Sequence, residues 1–372
     1  MNFPLFLEDI TLIELSLKYN GELAIKQPFV CVVANERSNT PGKKILRSNK
    51  VDGLYEFNKC EIMLDKEEAQ LELGEILIVF PKESLINRFY RPNTIGNTIL
   101  LTEQCDQLCV MCSQPPKRKD YLYWDLYLEA AALIPEGSFL GISGGEPTLY
   151  KNQLLDFLVK CVKANSSLQI NVLTNAQHFD HTDIRKLTSL NENVLWGVPL
   201  YSPNSAEHDG IVGKEGAFQD LLNGFNILLK SGSRVELRTV LIQKNYPSFA
   251  KLSKFVSRHF TWIEKWAIMQ LEPMGYARIE WPLKFVDTTI SPESLEQAVL
   301  TADASGIYTE LYNFPLCSVP NILRKFCVRS ISDWKQKYLS NCENCKSKNS
   351  CCGFFEWYDR QEGYSSIEAI MT

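Results

Sequence analysis

The stretch Asn97-Thr98-Ile99-Leu100-Leu101-Thr102-Glu103-Gln104-Cys105-Asp106-Gln107-Leu108-Cys109-Val110-Met111-Cys112 sets the architecture of this 372-residue chain. Its first half is a short apolar run of strand type, and its second half is a polar loop with cysteines spaced C-x3-C-x2-C. Beyond the loop, residues 123–134 carry helical periodicity and residues 138–143 read as a second strand. Gly144-Gly145-Glu146-Pro147 is a turn, and residues 152–164 form a second helix. Residues 168–174, 194–201, 235–242 and 265–273 supply four more strands. In the helix over 217–232, Phe218, Leu221, Leu222, Phe225, Leu228 and Leu229 share one face. Six strands, each followed by helical sequence, imply parallel pairing with right-handed crossovers. The expected fold is α/β: a partial (β/α)6 TIM-like barrel over residues 93–308, with an open doubly wound sheet as the alternative.

Two different segments flank this core. Residues 1–92 read as a β-rich N-terminal domain, with strands at 11–19, 28–36, 55–64 and 74–80 and turns at 38–44 and 50–53. The edges of such a sheet could dock a peptide or partner by strand addition. Residues 309–372 read as a Cys-rich C-terminal extension holding six of the twelve cysteines. Acidic residues outnumber basic ones 44 to 39, for a formal charge of −5, which argues against a mainly electrostatic grip on nucleic acid. No apolar run approaches the ~18 residues of a membrane span, and MNFPLFLEDI makes a poor signal peptide. The expected location is the cytoplasm, where cysteines do not ordinarily pair as structural disulfides. Cys31, Cys60 and Cys161 stand alone and read as small core residues.

Three thiolates in one loop can converge on one metal centre. On a four-iron cluster they leave one iron without a protein ligand, as catalytic rather than structural sites do. Zinc is the alternative, but no His or Cys follows within forty residues of Cys112 to complete a finger-like set. Gly144-Gly145-Glu146 after the second strand lets the backbone approach a ligand closely. On α/β barrels, chemistry is built at the C-terminal ends of strands, where both motifs lie.

These two motifs together resemble those of the radical S-adenosylmethionine (SAM) enzymes. The resemblance implies a 4Fe–4S cluster on Cys105, Cys109 and Cys112, whose open iron chelates SAM and whose electron releases a 5′-deoxyadenosyl radical. It implies that Gly144, Gly145 and Glu146 hold the SAM amino group. Met111 stands where the family usually has an aromatic residue and would pack on adenine through its sulfur. By the same resemblance, Thr174, Asn175 and Ser202 would contact ribose or the methionine carboxylate, and Met274 and Gly275 the adenine. Arg238 is the candidate for the carboxylate itself, because guanidinium pairs with carboxylates in a planar fork. His208-Asp209 reads as turn structure with a minor ribose contact.

In the extension, Cys342-x2-Cys345-x5-Cys351 resembles the core of the SPASM or twitch domains that carry auxiliary clusters in peptide-modifying members, although Phe355 stands where a further Cys is required. One auxiliary 4Fe–4S cluster is therefore expected on Cys342, Cys345 and Cys351. Cys317 would be its fourth ligand and Cys327 or Cys352 a substitute, with zinc the alternative metal. The stretches 97–117, 271–278, 312–317 and 330–335 resemble the His-Xaa-Ser system radical SAM maturases of the HxsC type. That resemblance implies a small ribosomally made precursor peptide as substrate, a paired radical SAM protein as partner, and a flavodoxin or ferredoxin as reductant. Two competing functions are kept. One is radical modification of RNA or a cofactor precursor, motivated by Lys117-Arg118-Lys119; the other is a non-catalytic zinc or iron–sulfur sensor.

Overall fold

The computed structural model describes residues 12–16, 27–34, 45–48, 54–57, 60–64, 71–83, 85–94, 96–118, 120, 122–332, 335–359 and 362–371. They fall into two compact units. One comprises residues 1–101, 121–143 and 152–171; the other comprises 102–120, 144–151 and 172–372. These units cut across the 93–308 segment read from the sequence.

The first unit contains a closed barrel of seven short strands. They are β1 (Leu12–Ser16), β2 (Phe29–Ala34), β3 (Ile45–Ser48), β4 (Leu54–Phe57), β5 (Cys60–Leu64), β6 (Ile76–Phe80) and β7 (Leu85–Tyr90), in the order β1-β5-β4-β3-β2-β6-β7. The ring closes because β1 pairs antiparallel with both β5 and β7. Among the described residues every strand of this ring is paired on both sides, so the expected strand addition finds no free edge there. Strands β3 and β7 are absent from the sequence reading: β3 is four residues between two turns, and β7 carries Asn87 and Arg88 in its middle. The half-buried Arg88 is explained by its partner, because its guanidinium forks onto the fully buried carboxylate of Glu75 at the foot of β6. Strand β6 itself, Ile-Leu-Ile-Val-Phe, is buried along its whole length.

The second sheet has seven strands in sequential order. They are β8 (Thr98–Leu100), β9 (Phe139–Ser143), β10 (Gln169–Leu173), β11 (Val194–Pro199), β12 (Arg234–Leu241), β13 (Lys265–Gln270) and β14 (Thr309–Tyr312). The pairings β8–β9, β11–β12, β12–β13 and β13–β14 are parallel, as crossover connections require. The connections carry α1 (Trp124–Ala131), α2 (Lys151–Ala164), α3 (Ile184–Thr188), α4 (Ser205–Val212), α5 (Ala217–Lys230), α6 (Phe249–His259), α7 (Trp281–Lys284) and α8 (Glu293–Ala304). The architecture is the expected α/β partial barrel, with one correction. Strand β14 extends the count from six to seven, so the alternation continues past Thr309 before the Cys-rich segment begins. In α5 the buried face is Ala217, Leu221, Gly224, Phe225, Ile227 and Leu228, whereas Leu229 is exposed. Leu229 was misassigned because a 3.6-residue period carries it round past the edge of the apolar stripe.

The Cys-rich segment adds one small hairpin pairing, β15 (Gln336–Lys337) with β16 (Phe354–Phe355), and otherwise short turns. It has little regular structure to supply a core. Aromatic packing serves instead: Trp281 stacks on Phe285 at 4.9 Å between ring centres, and Phe285 meets Tyr364 edge-on at 5.1 Å. The same apolar cluster includes Met111, Tyr201, Phe354 and Tyr358. No helix among the described residues is long and apolar enough to cross a membrane.

Candidate radical-generating site

The cysteine loop leaves the barrel by a polar turn. The Thr102 hydroxyl donates to Asp120 Oδ1 (2.6 Å) and accepts the Gln104 N–H (3.0 Å), ending the strand. The loop is then pinned by main chain. Leu108 N–H donates to Val212 O (2.9 Å) and Val110 N–H to Ile211 O (3.0 Å), both carbonyls belonging to α4. On its far side, Tyr276 N–H donates to Cys112 O (2.8 Å). That approach needs glycine next door: Gly275 has φ +54°, and a Cβ there would lie 2.4 Å from Cys112 O.

The three thiols share one electrostatic neighbourhood. Burial pushes Cys105 up to about 12, helped by the charges of Glu146, Asp106 and Cys112. Burial also pushes Cys109 up, and the other two thiols add to it. Cys112 is raised by burial as well. Three desolvated thiols, two of them further opposed by a neighbouring thiol, are poor isolated thiolates, and a cationic cluster reverses this balance by binding them deprotonated. The donor set therefore fits a metal–sulfur centre.

The Gly-Gly-Glu turn lies against the same loop with no space between backbones. A Cβ on Gly144, whose φ is +155°, would sit 2.3 Å from Thr102 O; one on Gly145 would sit 2.0 Å from Gln104 O. The Gly145 N–H donates to Thr102 O and the Glu146 N–H to Gln104 O, both at 2.7 Å. The Glu146 carboxylate is only 1% exposed. Its Oε1 accepts from Thr148 N–H (2.8 Å), the Thr148 hydroxyl (2.5 Å) and the Thr174 hydroxyl (2.6 Å), and its Oε2 accepts from Asn175 N–H (2.6 Å). Burial pushes this carboxyl up even so. The side chain therefore braces the turn from within.

Several expected SAM contacts have other partners. Thr174 and Asn175 are buried against Glu146, and the Asn175 amide also donates to Asp106 Oδ1 (2.8 Å). Ser202 is fully buried, donating to Glu207 (2.7 Å) and accepting the Asn204 N–H (3.0 Å) as a turn cap. Arg238 pairs with the fully buried Glu236 (2.6 Å) and touches Met269 Sδ (3.3 Å). A buried carboxylate two residues back in the same strand thus shares this guanidinium. Lys265 completes that network, 3.4 Å from Glu236 and 3.0 Å from both Glu310 and Tyr312. Met111 is buried in the apolar cluster. Met274 leads into Gly275 beside Cys112. His208 and Asp209 lie within α4, which corrects the expected turn: His208 is buried and held down to about 4 by desolvation, while the Asp209 carboxylate accepts from the Gly216 and Phe218 N–H groups.

The sequence reading missed Asp106, His178 and Lys214. Lys214 Nζ lies 2.6 Å from Asp106 Oδ2, and His178 Nε2 lies 3.4 Å from it. Burial pushes the Asp106 carboxyl up, but the neighbouring His178 and the hydrogen-bonded Lys214 ammonium prevail and hold it well below the usual range. An acid immediately after a ligand cysteine was the one available signal.

A second thiol group lies in the C-terminal segment. Cys317, Cys342, Cys345 and Cys351 line one cavity with Tyr338 and Ile370. Cys351 is held down to about 6 by a hydrogen bond from the Cys352 thiol, with Leu316 and Gly353 N–H donors at 3.3 and 3.4 Å. Cys327 packs beside Cys351 but does not line the cavity, and Cys352 is buried among aromatic side chains. Four soft donors around a cavity, one already favoured as thiolate, fit an iron–sulfur cluster. No three or more His, Cys, Asp or Glu among the described residues converge as ligands of a single metal ion.

Residues 99–256, which hold the three-cysteine loop and the Gly-Gly-Glu turn, match the model of the Radical SAM superfamily, a family that uses a 4Fe–4S cluster and SAM. The chain is 24% identical over 160 residues to the antilisterial bacteriocin subtilosin biosynthesis protein AlbA of Bacillus subtilis (strain 168), covering 41% of this chain and 35% of AlbA. It thus spans about a third of the length of that relative. Among solved structures, SuiB of Streptococcus suis aligns with a TM-score of 0.45 and 18% identity, covering 57% of this chain and 48% of SuiB. The anSMEcpe structure with bound AdoMet aligns with a TM-score of 0.47 and 14% identity, over 72% of this chain and 80% of that one.

Proposed function

We propose that this chain is a radical SAM maturase that modifies a ribosomally made peptide. The observation that carries the radical chemistry is the three-thiol loop locked backbone-to-backbone against the Gly-Gly-Glu turn. Cys105, Cys109 and Cys112 would hold the SAM-binding cluster, and Cys317, Cys342, Cys345 and Cys351 an auxiliary one. When bound, the first cluster supplies the electron that cleaves the sulfonium of SAM to a 5′-deoxyadenosyl radical. The chain's own work is to orient and to shield. Gly144 and Gly145 bring main chain to the ligand, Glu146 fixes their conformation from behind, and the aromatic cluster around Met111 keeps water from the loop.

The peptide substrate is supported by the likeness to AlbA, whose name describes bacteriocin biosynthesis, and by the second thiol cavity. The HxsC-type motifs narrow this to a small precursor peptide handled with a paired radical SAM protein in the cytoplasm, a flavodoxin or ferredoxin serving as reductant. The test is anaerobic reconstitution with iron and sulfide, then dithionite reduction in the presence of SAM. Release of 5′-deoxyadenosine is expected, with its loss in Cys109→Ala; release that persists in that variant refutes the ligand assignment. Mass spectrometry of candidate peptides encoded beside the gene then tests the substrate class.

A further inference from the structure

Besides the main-chain bonds from Gly145 to Thr102 and from Glu146 to Gln104, one side chain also links the cysteine loop to the Gly-Gly-Glu turn. Asn175 donates its amide N–H to Asp106 Oδ1 (2.8 Å) and its backbone N–H to Glu146 Oε2 (2.6 Å). Asp106 immediately follows the first cysteine, and Glu146 ends the turn. The other Asp106 oxygen lies 2.6 Å from Lys214 Nζ and 3.4 Å from His178 Nε2. Lys214 is fixed in turn by Gln177 Oε1 (2.7 Å), whose amide nitrogen donates to Ala217 O (3.2 Å) at the start of α5.

We propose that Asp106 is a positioning residue: through Asn175 it sets the register of the three-thiol loop against the turn facing SAM, and the Lys214 and His178 side chains hold it there. This rests on the radical SAM reading above. The physical argument is that the loop does not need Asp106 to exist. Its main chain is already held by the bonds from Leu108 and Val110 to α4, from Tyr276 to Cys112, and to the turn itself from Gly145 and Glu146. What those bonds leave to side chains is the stretch just after Cys105, where the Asp106 carboxylate reaches Asn175 and Asn175 in turn reaches Glu146. Replacing the carboxylate by an amide keeps the shape, but it turns an N–H2 group toward an ammonium and removes a charge-assisted hydrogen bond. The loop then keeps its thiols and its main-chain bonds and loses the side-chain line that seats the Asp106 segment against Asn175.

The test compares anaerobically reconstituted wild type, Asp106→Asn, Lys214→Met and the double variant. Each is measured for iron and sulfide content, for SAM affinity by equilibrium binding, and for the change that SAM causes in the electron paramagnetic resonance spectrum of the reduced cluster. The expected result is unchanged iron in all four and SAM binding weakened about 10- to 100-fold in Asp106→Asn, the range for loss of a charged hydrogen bond. A smaller loss is expected in Lys214→Met, and the double variant should fall within about twofold of Asp106→Asn, because Lys214 acts through Asp106. Wild-type SAM affinity in Asp106→Asn would overturn the proposal. So would loss of iron in that variant, because Asp106 would then hold the loop rather than align it. A wild-type protein that assembles no cluster would instead refute the functional reading on which this rests.

Discussion

Gly145→Ala places a single methyl group where two backbones touch. The new Cβ would lie 2.0 Å from Gln104 O, 2.5 Å from Gln104 C and 3.0 Å from Cys105 N, against an ordinary contact of 3.4 Å or more. The contacts are main chain, so no side chain can swing away, and the turn and loop must separate by roughly 1 Å or more. That separation stretches the Gly145–Thr102 and Glu146–Gln104 hydrogen bonds, now 2.7 Å each, which contribute about 1 kcal/mol apiece. Moving Glu146 also disturbs four hydrogen bonds to a carboxylate that is 1% exposed. Some of these relax together, so a total cost of about 2–4 kcal/mol is expected. For a unit of this size that lowers Tm by about 4–12 °C. The assay is thermal unfolding of the iron-free protein followed by far-UV circular dichroism, with 5′-deoxyadenosine release measured separately on the reconstituted protein. Gly144→Ala should behave alike, because its Cβ would meet Thr102 O at 2.3 Å. A Gly145→Ala protein that melts within 1 °C of wild type and retains full SAM cleavage would refute the idea that this contact sets the site.

The thiol cavity predicts that Cys351→Ala or Cys342→Ala lowers iron by about one four-iron cluster per chain. Cys161→Ala, in the buried face of α2, should leave iron unchanged. Iron and acid-labile sulfide analysis checks both. A pH effect follows from His208, whose folded-state pKa near 4 lies below the unfolded value of about 6.5. The unfolded chain binds the proton first as pH falls, so stability should drop by about 3 kcal/mol between pH 6.5 and 4 from this group alone. In His208→Gln that part of the slope should vanish, as urea melts at several pH values would reveal.

Much of the site was legible because local chain geometry produces it. A spacing of three and two residues between cysteines confines their sulfurs to one loop whatever surrounds it, and paired glycines after a strand mark a close approach. The apolar periods located every strand from β8 to β13 by their own pattern. Strand β14, only Thr309–Tyr312, was too short to show a period, and β3 and β7 were hidden in the same way by length and by polar residues.

Partnership at a distance is another matter. Nothing in the string joins Asp106 to Lys214, 108 positions later, or marks Arg238 as the partner of a buried Glu236. Those choices follow from desolvation, which depends on the whole fold: a carboxylate shut away from water must find a cation or a donor, and packing determines which is within reach. The gathering of Cys317 with Cys342, Cys345 and Cys351 is likewise a product of how β14 and the segment after it fold back. The sequence thus names the reactive groups through short-range spacing, and three-dimensional packing assigns each of them its neighbours.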